Sequence, residues 1–222
     1  MTGFRQFARR LRRSSSGVAM VEFAMAMPFF LGVGMYGIET AHLAISNMRV
    51  AQLAAHLADN ASRVGDTSML ENRRVYESDI NDVFLGSNIQ AGKLNFFKNG
   101  RAIISSLEVN DDGKQYIHWQ RCKGRKDFDS AYGVEGDELD GMGPPGEEVF
   151  ADDNDAVIFV ELSYDYQPLI SDVFTTVTEI RSNASFNVRD KRDLTQLYQR
   201  DEAAPDAVSS CDIKDDYDII VG

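Results

Sequence analysis

The sequence predicts an α+β fold: one long N-terminal helix, apolar enough in its first half to cross a bilayer, packed on a small antiparallel sheet. Three observations predict it. Residues 18–38 form an apolar run with a single charge, Glu22. The helical pattern then continues through residues 38–64 with no Gly or Pro to break it. From residue 94 onward the side-chain period changes to two, in stretches rich in Ile, Val, Phe, Tyr and Thr.

The chain has 222 residues, 43% hydrophobic and 26% charged, with 17 Gly and 5 Pro. That suits one domain with an appendage and excludes a wholly disordered chain, a collagen or a low-complexity array. The net charge of -12 comes from 23 basic and 35 acidic residues, unevenly placed. Residues 1–17 hold five Arg (Arg5, Arg9, Arg10, Arg12 and Arg13) and no acid, which leaves 18 basic against 35 acidic residues beyond them. A body this acidic repels phosphate backbones, so no nucleic-acid partner is expected.

At about 1.5 Å per residue, residues 18–38 span roughly 30 Å, the hydrocarbon thickness of a bilayer. A buried core helix is the competing reading, but one of this length ordinarily keeps a polar face. A cleavable secretory signal would have a shorter apolar region followed by a small-x-small site. The flanking Arg residues put the N-terminus in the cytoplasm, so everything beyond Ile38 is expected to be exported. Past Glu39, one stripe runs Ala41, Ala44, Met48, Ala51, Ala55, Ala58, Ser62, and a second runs Leu43, Val50, Leu57, Val64. One helix of about 45 residues, near 70 Å long, accounts for both. Its second half is expected to cover the sheet with one face. The small-residue seam, Ala44, Ala51 and Ala58, meets either a neighbouring subunit or the chain's own sheet.

Glu22 is the anomaly in the apolar run. A carboxylate at a helix centre in lipid costs about 2.5–3.5 kcal/mol on the insertion scale, less near the end, where it snorkels to the surface. It is the fifth residue after Gly17, which precedes the run. Residues 17–28, Gly-Val-Ala-Met-Val-Glu-Phe-Ala-Met-Ala-Met-Pro, follow an Arg-rich leader. This pattern resembles the type IV pilin-like proteins, and among them the TadE/TadF-like proteins of the tight-adherence (Tad, or Flp) pilus system. The resemblance implies cleavage by a prepilin peptidase after Gly17, with Val18 as the mature N-terminus. It also implies that Glu22 pairs with the Val18 amino group of the same or an adjacent subunit, which sets the axial register. Two departures stand out: Phe23 follows Glu22 where the short major pilins carry Tyr, and a long body follows the helix. The chain is therefore expected to be neither the major subunit nor the longer TadG type with its von Willebrand-like domain.

In the exported body, Ser68 and Glu71 have capping-box spacing, and Ser78 is expected to start a short helix that runs through Leu85 and stops at Gly86. Strands are expected over residues 94–97, 102–109, 115–122, 156–166 and 175–188, with Asn110-Asp111-Asp112-Gly113 as a hairpin loop. Residues 160–169 and 180–189 also resemble the carboxyl half of TadE-like proteins. The two cysteines, Cys122 and Cys211, are expected to form a disulfide once exported, tying down the acidic tail; two unpaired thiols are the alternative. Isolated Cys and three scattered His show no zinc spacing. Residues 127–180 hold 15 Asp or Glu and no Lys or Arg, and residues 133–146, with five Gly and two Pro, read as an exposed loop. Asp152, Asp153, Asn154 and Asp155 offer oxygens to Ca2+, but their spacing is not that of an EF-hand and a solvated loop is the better reading.

No P-loop, HExxH, GxSxG or GxGxxG motif is present. The expected organisation is a cleaved basic leader (1–17), a membrane helix (18–39), its periplasmic extension (40–66), a periplasmic α+β domain (67–199) and an acidic tail (200–222). The expected function is that of a non-enzymatic minor pilin or pseudopilin of the inner membrane. Its partners would be other pilin-like subunits, the assembly platform and the prepilin peptidase, with no cofactor and no small-molecule substrate. The rivals are an uncleaved single-pass anchor presenting a binding or scaffold domain and a membrane-held exported enzyme.

Overall fold

The computed structural model describes residues 17–65, 72–189 and 191–214. The Arg cluster, the Ser68–Glu71 capping box and residues 215–222 lie outside the described residues. The chain divides into two compact units. One comprises the described residues up to Ala44 with Pro168–Thr176; the other comprises Ile45–Gln167 and the described residues from Val177 onward.

Helix α1 is a single element, Val18–Arg63, 46 residues long. Beyond residue 44 its buried positions are Ser46, Val50, Leu53, Ala54, Leu57, Ala58, Ala61 and Ser62, the 3.6-residue recurrence of a face laid on a core. The Leu43–Val64 stripe is thus largely core-facing, with Val50 and Leu57 wholly buried. At the C-terminus, Arg192 Nη2 donates to the carbonyls of Ala61 (3.2 Å) and Val64 (2.9 Å), oxygens with no partner inside the helix.

Helix α2 is Glu77–Ala91, longer at both ends than the expected 78–85 segment. Asp79 Oδ2 accepts the Tyr76 N–H at 3.0 Å, which fixes the start two residues earlier than a Ser78 cap would. Gly86 does not end it. Ile80, Val83, Phe84 and Ser87 bury one face, and this burial outweighs the roughly 1 kcal/mol that a helical Gly costs on the exposed side. The helix ends at Gly92, where φ is 50°.

The expected strand at 94–97 is absent. A 3-10 turn, Gly92–Leu94, leads into one turn of helix, α3, Phe96–Asn99. A strand would send the adjacent Phe96 and Phe97 to opposite faces. The helical turn, entered through Asn95 at φ 48°, buries both. Phe97 packs edge-on to Phe84 (6.0 Å between centroids) and Phe96 stacks on Tyr164 (5.9 Å).

Five antiparallel strands follow: β1 Gly100–Val109, β2 Gln115–Lys123, β3 Glu138–Leu139, β4 Val157–Asp165 and β5 Glu179–Asn187, in the order β3-β2-β1-β4-β5. The β1–β2 hairpin turns at the expected residues, with Gly113 at φ 75° and Asn110 Oδ1 accepting the N–H groups of Asp112 and Lys114. The molecule is therefore α+β, a long helix packed on an antiparallel sheet.

One irregularity governs the sheet. Ser106 pairs with Trp119 and Leu107 with Ile117, so His118 is an extra residue in β2. Because strand side chains alternate, the bulge switches the parity of everything after it. Cys122 thereby opposes Ile103, on the face that also carries Leu107 and Ile117. That face forms a core of Leu107, Ile117, Met142, Ala151, Val157 and Phe159, and a smaller one of Ile103, Cys122 and Phe128. The Gly- and Pro-rich stretch at 133–146 is accordingly not a plain exposed loop: Met142 is fully buried and Leu139 packs on the same core.

Candidate functional site

Three groups of residues bear on function. The first is the exposed half of α1. It contains an 18-residue window of mean hydropathy 1.8, none of it buried, so the helix is long and apolar enough to cross a membrane. Met20, Phe23, Met25, Phe29 and Phe30 are each at least 60% exposed. Gly17 immediately precedes the helix and Val18 opens it. Glu22 lies one turn from Val18, at the i,i+4 spacing that shares a helix face, and is exposed. Small residues at Gly32, Gly34 and Gly37 leave open space beside the helix, and Pro28 removes one helical hydrogen bond within the apolar run.

The second group lies where the apolar run ends. Glu39 is wholly buried. Its Oε1 accepts the Leu169 N–H at 3.1 Å and its Oε2 the Ile170 N–H at 2.8 Å. A buried carboxylate is costly unless it is hydrogen-bonded, and two backbone donors meet that need. The sequence reading passed over Glu39. Its one signal was position: it is the sole acid between Glu22 and Asp59.

The third group secures the tail. The Cys122–Cys211 disulfide forms, with a sequence separation of 89 and a Cα–Cα distance of 4.7 Å. Cys122 N–H also donates to the Ser209 carbonyl at 2.8 Å, and Asn81 Nδ2 to the Ala207 carbonyl at 2.7 Å. Beneath them is Arg101, 1% exposed, whose guanidinium donates to the carbonyls of Gly124, Cys211 and Ile213. Burial pushes its pKa below the ordinary Arg value, against the pull of Asp127 and Asp129. Gly124 permits the arrangement: at φ 120° a Cβ there would lie 2.2 Å from the Gly100 carbonyl oxygen.

The seam residues separate. Ala44 and Ala51 are exposed, together with Ala41 and Met48, whereas Ala58 is wholly buried. Ser62, five full turns beyond Ala44 and so on the same azimuth, is buried as well, so the stripe keeps its face and is covered from Ala58 onward. Ala58 is core, and the exposed seam is only the part nearer the apolar run.

The remaining polar clusters are held by partners within the chain. Glu77 receives a paired contact from Arg121, whose Nε and Nη2 approach it at 3.0 and 2.6 Å. His118 Nδ1 lies 2.8 Å from Glu108 Oε2, and this bond raises the His118 pKa above 6.5 while burial opposes it. Glu161 is buried, with Ser130 Oγ and Ala131 N–H donating to it, and desolvation holds its pKa above the usual carboxylate value. Asp152–Asp155 form a turn closed by Asp155 N–H to the Asp152 carbonyl, with Asn154 at φ 62°. Among the described residues no group of three or more His, Cys, Asp or Glu side chains converges to hold a metal ion. No family model matches the chain, nor does any curated protein or solved structure.

Proposed function

We propose that the chain is a minor pilin or pseudopilin that takes part in assembling a Tad/Flp-type pilus. In this reading residues 18–38 lie in the inner membrane and the sheet-bearing body is periplasmic. A prepilin peptidase cuts after Gly17, freeing the Val18 amine. The observation that carries the reading is α1 itself: a 46-residue helix that begins at Val18, exposes its apolar first half and buries one face of its second half. Such a helix serves two environments at once, and the resemblance of residues 17–28 to TadE/TadF-like proteins gives its start a chemical meaning.

The mechanism is assembly through helix contacts. Within lipid, two opposite charges gain most by pairing, so the Glu22 carboxylate and a free Val18 amine would favour one axial register between neighbouring helices. Outside the lipid, the exposed Ala41, Ala44, Met48 and Ala51 offer a small-residue surface that lets a second backbone approach closely. Mass and terminal sequencing of the protein from cells with and without the prepilin peptidase test the reading. A Val18 N-terminus only where the peptidase is present is expected. An intact leader in both strains would make the chain an uncleaved membrane anchor instead.

A further inference from the structure

We infer that the loop Pro168–Thr176 is a second membrane contact, seated in the boundary between headgroups and acyl chains beside the end of the apolar helix. The inference rests on residues 18–38 crossing the bilayer. Glu39 is the first residue beyond that run, so it marks the depth at which hydrocarbon gives way to headgroups. Its carboxylate holds the backbone N–H groups of Leu169 and Ile170, which fixes the loop at the same depth. Tyr36, 57% exposed and close to the end of the run, stands where aromatic side chains favour the interface.

What the loop presents suits that depth. Leu169 is 59% exposed, Ile170 40% and Val173 84%. Ser171 caps the 3-10 turn Asp172–Phe174 by accepting the Val173 N–H. Asp172 is the loop's one charge, and no Lys or Arg occurs between residues 127 and 180. Three aliphatic side chains exposed within five residues form a contiguous apolar patch, the kind that marks a membrane or interaction surface. With no cation to attract anionic lipid, the contact is apolar and should be indifferent to lipid charge and to salt.

The test uses the full chain in phosphatidylcholine vesicles, with an environment-sensitive fluorophore on a single added cysteine; the native pair is in its disulfide. Nitroxide lipids quench it from known depths. A probe at Val173→Cys should be quenched by a headgroup or shallow acyl nitroxide several-fold more than one at the exposed Val134→Cys. Adding phosphatidylglycerol or salt should not change this. A probe at Phe29→Cys should respond best to a deep nitroxide. If Phe29→Cys is not quenched, the span is refuted and the loop contact with it. If Phe29→Cys is quenched but Val173→Cys behaves like Val134→Cys, the loop contact alone is refuted. Blue-shifted yet unquenched emission at Val173→Cys would mean that protein, such as a second copy, covers the loop, and would also refute it. Adding Glu39→Ala should lower the shallow quenching at Val173→Cys and leave Phe29→Cys unchanged; undiminished quenching would overturn the pinning by Glu39.

Discussion

The Arg101 guanidinium donates from Nη2 to the Cys211 carbonyl at 2.6 Å, so the carbonyl of a disulfide cysteine is held by a cation buried in the first strand. The same side chain reaches Gly124 and Ile213. The covalent and the hydrogen-bonded fastening of the tail therefore meet at one place. Arg101→Met should cost about 1.5–3 kcal/mol for each charge-assisted bond that is not replaced by water. Hydrogen exchange should speed up at residues 209–213 while the disulfide persists. Replacing Cys122 and Cys211 together should cost more, about 4–5 kcal/mol in the chain-entropy model for a loop of this length. Membrane insertion should survive, because the apolar helix drives it. Wild-type protein isolated without reductant should migrate faster on a non-reducing gel than after reduction, and two titratable thiols would contradict the bridge.

How much of this was legible follows from the range of the interactions. The start of α1, its run through Arg63, the hairpin at Asn110–Gly113 and four of the strands depend on period and turn chemistry, which lie within a few neighbouring residues. The Cys122–Cys211 pairing was legible only because no other cysteine competes. What sequence could not give was set by distant partners. Gly86 is helical because Phe84 and Ile80 have a core to enter, and Phe96 and Phe97 turn inward because Tyr164 and Phe84 await them. Glu39 and Arg101 take their roles from backbone groups more than a hundred residues away. The bulge at His118, which aims Cys122 at the tail, exists only as a mismatch between two strands.

The His118–Glu108 pair predicts a pH dependence. The folded pKa of His118 is raised above 6.5, first by its bond to Glu108, with burial opposing. A raised folded pKa adds stability that is fully present below the unfolded value and is lost as pH rises through the folded one. Full-length protein in micelles should therefore lose stability from about pH 6.5 upward. His118→Gln should flatten that limb in chemical-denaturation curves; an unchanged slope would assign it to another group. On the acid side Glu179, lowered to about 2 by Ser163, Arg181 and Lys126 despite partial burial, has the opposite sign. Its contribution is present above the unfolded value and fades as pH falls toward about 2.

Gly17 and Glu22 should fail at different steps. A Cβ at Gly17 would meet no atom within 4 Å, so Gly17→Leu leaves the fold undisturbed and any effect belongs to processing. Full-length, inserted precursor is expected on immunoblots of membranes. Glu22→Ala should insert at least as well as wild type, since a costly charge is removed, and should still be cut. Assembly should be lost with the partner of the Val18 amine. Normal cleavage of Gly17→Leu would refute the processing site, and normal piliation by Glu22→Ala would reduce Glu22 to a snorkelling charge.

The Ala positions separate packing within the chain from packing between chains. Ala58 is wholly buried, and Trp in its place must displace core atoms, at a typical cost of about 1–3 kcal/mol or more. Ala51 is exposed on the same helix, two turns earlier, where a substitution ordinarily changes stability by no more than about 0.5 kcal/mol. Ala51→Trp should leave the melting midpoint unchanged and Ala58→Trp should lower it clearly. If the face with Ala44, Met48 and Ala51 receives a second helix, Ala51→Trp should also block incorporation into pili, because a large ring holds apart backbones that small residues let approach. Normal incorporation of a stable, processed Ala51→Trp protein would refute that contact. Loss of incorporation by Ala58→Trp alone would reflect a damaged core, which is why the two variants must be measured together.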